Sequence, residues 1–139
     1  MTREATLMSG IIVITVPGIQ YGGYFLLTSL MDRSSRYMDN PLRQNFFRAG
    51  HAHAGVIVIL SLICQVLADA AKLPEGLLWF VRIGVPVAAI LMPLGFFLSV
   101  PSPDSAKPND LVRIIFVGAV VLALAVVILG IGLLRSFTA

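Results

Sequence analysis

The chain has 139 residues, of which 58% are hydrophobic and only 12% charged, with a formal net charge of +3. Soluble domains carry about 25% charged residues, so a mean hydropathy of +0.92 excludes an ordinary soluble core. A pI near 9.5 without a basic cluster interleaved with aromatics gives no ground for nucleic-acid binding.

Four stretches contain no Asp, Glu, Lys or Arg: residues 5–31, 49–68, 83–103 and 114–134. Each reaches the ~20 residues that a helix needs to cross a bilayer's hydrocarbon core. The apolar runs are continuous rather than alternating, which points to helices and not to the strands of a barrel. The expected fold is therefore an all-α integral membrane protein, one antiparallel four-transmembrane-helix bundle with spans at about 5–30, 48–70, 77–100 and 111–135.

The first helix is expected from about Glu4, with Thr2 as a possible cap and Pro17 as an internal kink. Its apolar run is too long for a signal-peptide core and no A-x-A-like site follows it, so it reads as a span. Along "IQYGGYFLLTS", Tyr21, Tyr24 and Thr28 share one helical face, with Gln20 beside Tyr24. Gly22 and Gly23 would let another helix approach closely. Asn40 and Pro41 form a helix-start signal, cap followed by proline at the first position. The second helix thus begins before its span and carries Phe46 and Phe47 to headgroup level.

Both histidines of the chain stand at the threshold of this span, in "FFRAGHAHAGVIVIL". Residues two apart on a helix are separated by about 200°. His51 shares its face with Gly55, Leu62, Gln65 and Asp69, and His53 with Ile57, Leu60 and Cys64. A polar stripe under His51 is the expectation, and a face shared by Tyr21 and Tyr24 could meet it. Arg48, one turn earlier, together with desolvation favours the neutral form of His51. Each imidazole can serve by hydrogen-bonding a carbonyl or side chain of the next helix. Alternatively it is a ligand or a proton site.

A shared metal site of His51 and His53 requires residues 50–55 to be unwound, so that both rings face one way. Haem b suits small membrane bundles, but both histidines lie on one helix. Bis-His ligation would need a homodimer, and a His/Met pair would draw on Met8, Met31, Met38 or Met92. A polar pocket where the Tyr21/Tyr24 face meets His51 could hold a quinone headgroup, a haem propionate or a proton path.

The "AKLPEG" turn precedes the third helix, which contains Pro86 and Pro93. Arg82 lies one turn inside it, with Asp69 and Glu75 as natural ion-pair partners at the membrane edge. The proline-rich "PSPDSAKPND" leads to the fourth helix, where Arg113 can pair with Asp110. "TVPGIQYGGYFLLTS" matches "GVPVAAILMPLGFFLS" with a three-residue gap, and the following segments align Gly50 with Gly118. The match reads as two related helical hairpins, parallel repeats in the sense known for transporters.

Arg33, Arg36, Arg43, Arg48, Lys107 and Arg113 fall on the side of the first and third connections. Arg3, Lys72 and Arg135 fall on the other, with Arg82 a turn inside. The excess places both termini on the extracytoplasmic side of a cell membrane. A lone Cys64 excludes an intrachain disulfide, and no nucleophile, phosphate loop or paired-carboxylate site is present. The functional expectation is an accessory or structural subunit packed against other membrane subunits or copies of itself, with a polar intramembrane site at His51. The alternatives are an oligomeric channel or transporter along His51, Gln65 and Asp69, and a haem- or quinone-binding redox protein.

Overall fold

The structure, a computed structural model, describes residues 1–32, 34 and 36–138, apart from the side chain of Met38. Arg33, one of the counted basic residues, and the Met38 thioether, a candidate axial ligand, lie outside the described residues. Four helices make up the chain: α1, Arg3–Met31; α2, Pro41–Ala68; α3, Glu75–Ser99; and α4, Arg113–Phe137. All four are long and apolar enough to cross a membrane by length and composition, and α4 is extended at its start by a 3-10 turn, Asp110–Val112. No strand occurs among the described residues.

Capping chemistry sets the helix starts. The Thr2 hydroxyl accepts from the Ala5 N–H at 3.2 Å, and the Asn40 side chain accepts from the Arg43 N–H at 3.1 Å with Pro41 at the first position. Each satisfies one of the amides that a helix leaves without an internal partner. Asn40 has a second role, because its amide nitrogen donates to the carbonyls of Pro103 and Ser105 at 2.7 and 3.0 Å. Arg36, the one described non-glycine residue with positive φ (52°), aims its guanidinium at Asp104, 2.7 Å away. The first and third connections are thereby joined at one end of the molecule. At the opposite end Ser136 donates to the Ala70 carbonyl at 2.7 Å and the Lys72 N–H to the Gly132 carbonyl at 3.0 Å.

Successive helices therefore run in opposite directions. α3 packs extensively on both α2 and α4, while α1 lies chiefly on α2, touches α3 slightly and does not reach α4. The main core joins Ile57, Cys64 and Ala68 of α2 to Val81, Val85 and Met92 of α3 and to Ala125 and Leu129 of α4. α1 adds Ile12 to it, with Val16 and Ile19 packed against its edge. An aromatic cluster closes the connection end, where Phe47 meets Phe97 edge-on at 5.3 Å and Tyr37 at 6.1 Å. Such offset contacts are favourable beyond their buried area.

Close approach of α3 and α4 depends on glycine. A Cβ on Gly95 would lie 2.6 Å from Ile115 Cγ1 and 2.8 Å from the Ile115 backbone nitrogen, and one on Gly118 would lie 2.7 Å from Met92 Cγ. Gly50 of α2 also abuts α3, against Phe96 and Phe97. Gly10 of α1 meets nothing. Gly95→Ala should therefore cost about 1–3 kcal/mol, as overpacking does, whereas Gly10→Ala should be neutral or stabilising by up to ~1 kcal/mol from helix propensity. Thermal unfolding in detergent micelles, followed by circular dichroism, distinguishes the two; equal effects would remove close approach as the cause.

Candidate functional site

Residues 50–55 are helical throughout, so His51 and His53 point to different neighbours and the unwound geometry of a shared chelate is not adopted. His53 turns to α3. Its Nδ1 lies 2.7 Å from the Ala49 carbonyl of its own helix, and its ring sits 5.0 Å from that of Phe96. His51 turns to α1 and packs into a notch at its two glycines, where an added side chain would crowd the ring. A Cβ on Gly23 would stand 3.3 Å from His51 Cε1 and Nε2, and one on Gly22 would stand 3.4 Å from Nδ1. Neither ring nitrogen of His51 has a hydrogen-bond partner among the described residues. Inside a bilayer, a polar group in that state is costly.

Space opens on both sides of the ring. A cavity of about 290 Å³ lies between α1, α2 and α3, walled by Ile11, Ile12, Ile19, Val58, Ile90 and Phe97, with His51 at one end. It is possible because small residues face it: Gly18, Gly22, Ala54, Ser61 and Ala89. Its lining runs over residues 51–61 of α2, which at 1.5 Å per residue makes a slot about 15 Å long. Two hydroxyls line this slot, and both bond back to their own helices, Thr15 to the Ile12 carbonyl at 2.6 Å and Ser61 to the Ile57 carbonyl at 2.7 Å. With both hydroxyl donors used, His51 is left as the lining group with a free N–H to offer. A second cavity of about 270 Å³ flanks the other side of the ring, beside Gln20, Gly23, Gly55 and Ile59.

The predicted polar stripe does not continue from this site. Gln65 stands 14 residues beyond His51, about 21 Å along the helix, and it is fully buried against α3. Pro86 explains where its amide goes. Proline has no N–H for the carbonyl four residues earlier, here that of Arg82, and Gln65 Nε2 donates to this carbonyl at 2.9 Å. In return Arg82 Nη1 donates to the Gln65 carbonyl at 3.0 Å, and Nη2 to Asp69 Oδ1 at 2.7 Å. Asp69 also accepts from the Thr2 N–H and hydroxyl, each at 2.7 Å. This knot ties the start of α1 to the end of α2 and the start of α3. The Arg82 side chain is 5% exposed, so it is buried and paired rather than extended toward water.

The other predicted residues lie elsewhere. Tyr21 and Tyr24 are 71% and 63% exposed, turned away from the notch, so Gly22 and Gly23 make the contact expected of the tyrosines. Arg48 is directed at the Tyr37 hydroxyl, whose pKa is raised by burial and partly restored by that charge. Glu75 borders a polar recess with Thr2, Asp69 and Arg82, but the carboxylate that Arg82 pairs with is that of Asp69, which also lies 3.9 Å from the Met1 ammonium. Among the described residues no group of three or more His, Cys, Asp or Glu side chains could hold a metal ion. The chain matches no family model, no curated protein and no solved structure.

The Asp69 carboxylate gives a pH test of the knot. Burial alone would raise its pKa, but the bonds from Arg82 and Thr2 outweigh burial and hold it at about 2, against an ordinary 3.8. A folded-state pKa below the unfolded one contributes stability that is complete above the unfolded value and lost as pH falls toward the folded one. Wild-type stability should accordingly drop between about pH 4 and about pH 2. Asp69→Asn should flatten that drop and lower stability at neutral pH by about 1–2 kcal/mol. An unchanged acid profile in Asp69→Asn, read by thermal midpoints, would remove the knot from the stability of the fold.

Proposed function

We propose that the protein is a multi-pass cell-membrane protein that holds a lipophilic molecule with a hydrogen-bonding head, of the quinone class, in the slot at His51. It works as an accessory subunit beside other membrane subunits or copies of itself. The observation that carries this reading is the His51 ring, wedged in the Gly22/Gly23 notch with both nitrogens unpartnered at the end of an apolar slot. A single N–H can donate to a quinone carbonyl, and a slot about 15 Å long accommodates an apolar tail. The excess of Arg and Lys at the connection end supports an orientation with both termini extracytoplasmic.

Haem b with His51 as axial ligand is the second reading, favoured by the same unpartnered imidazole. It draws less support because neither cavity beside the ring is lined by a methionine or a second histidine among the described residues. A transport path along His51, Gln65 and Asp69 draws less support, because Gln65 and Asp69 are bonded into the Arg82 knot.

Calorimetric titration of the detergent-purified protein with a short-chain quinone tests the reading. Wild type should bind, His51→Ala should bind at least about tenfold more weakly, the effect of one hydrogen bond in an apolar site, and His53→Ala should bind normally. No binding by wild type, or equal binding by His51→Ala, would contradict it. A Soret band in the visible spectrum, lost in His51→Ala, would assign the site to haem instead.

A further inference from the structure

A second feature lies at the connection end and is independent of the His51 reading. Arg43, in the first turns of α2, places its guanidinium 4.6 Å above the ring of Phe47. The other arginines with nearby acceptors use them: Arg36 pairs with Asp39 and Asp104, Arg82 with Asp69, and Arg113 with Asp110. Arg48 is directed at Tyr37. Arg43 has no carboxylate partner among the described residues, and its Nε is buried without a hydrogen-bond partner. The residue as a whole is only half-buried, so a guanidinium without an acidic neighbour remains open to an anion.

Phe47 is also one wall of a groove. With Tyr21, Gly22, Phe25, Leu26 and Phe97 it encloses about 300 Å³ with an entirely apolar lining. Charge and groove thus adjoin at a single side chain: a cation stacked on Phe47, and beside it a channel of hydrocarbon character between α1 and α3. An amphiphile with an anionic head and an acyl tail matches both halves. A free phosphate would use only the first half, and a neutral lipid only the second.

The geometry points to Arg43 and the Phe47 groove as a binding site for an anionic phospholipid, its phosphate on the guanidinium and one acyl chain along the groove. Arginine suits phosphate because its planar fork presents several donors at once, and basic sites between transmembrane helices recognise acidic headgroups in this way. The excess of Arg and Lys at this end sets it toward the cytoplasmic leaflet, where anionic lipids concentrate.

Native mass spectrometry of the detergent-purified chain tests the site with three probes: phosphatidylglycerol, phosphatidylcholine of the same acyl chains, and inorganic phosphate. Wild type should retain the anionic lipid about five- to tenfold better than the zwitterionic one. Arg43→Gln should abolish that preference, Arg43→Lys should keep part of it, and Arg113→Gln, on an exposed residue of the same end, should keep all of it. If Arg43→Gln fails to fold, the wild-type comparison and Arg43→Lys still decide. No preference in wild type, or full preference in Arg43→Gln, would overturn the proposal. Inorganic phosphate displacing the lipid at equal concentration would overturn the lipid assignment, since the groove would then contribute nothing.

Discussion

A guanidinium one turn inside an apolar helix must be paired, and the arrangement of this molecule follows from how Arg82 is paired. Its charge is met by Asp69 at the end of α2, its remaining donors by Gln65, and its backbone carbonyl, orphaned by Pro86, by the same Gln65. Thr2 closes the set from α1. Leaving one partner of such a group unpaired is far costlier than the net gain from the pair, so the knot acts mainly as a constraint. It fixes which turns of α1, α2 and α3 stand level with one another at the terminal end.

That register determines what can meet at the other end. With Thr2 tied to Asp69, the glycine pair of α1 comes level with His51. α1 is the least embedded of the four helices and is held by the knot, by the notch, and by contacts such as Phe25 with Phe47. Small residues on all three helices around the slot prevent side chains from filling it. The result is an apolar space carrying one unsatisfied imidazole, the combination on which the proposed ligand site rests.

Much of this was legible in the sequence. Charge-free runs gave four helices, the Thr2 and Asn40 caps placed two of their starts, and the position of Asp69 gave the Arg82 pair. The site was half legible. Helical geometry separated His51 from His53, because 200° is a property of the helix alone. The face of α1 that meets His51 was not legible from polarity: Tyr21 and Tyr24 were the polar choice, but distance of approach decided the contact, and the Gly22/Gly23 doublet was its signal. The role of Gln65 was hidden for a different reason. Pro86 announces an orphaned carbonyl at Arg82, but nothing in the sequence says which neighbouring helix supplies the donor. Arg43 and Phe47, four residues apart on one helix face, were readable as a pair, though their adjoining groove required three helices to be in place.

The chain has two histidines, one on each side of α2, and this makes the central claim directly measurable. With histidine rings labelled with nitrogen-15, magnetic resonance of the micellar protein should give two imidazole spin systems, separable by His51→Gln. Adding a short-chain quinone should shift the ring nitrogens of His51 and leave those of His53, already bonded to Ala49, in place. Unchanged His51 signals at saturating quinone, or equal shifts at both rings, would contradict the assignment of the slot as the binding site.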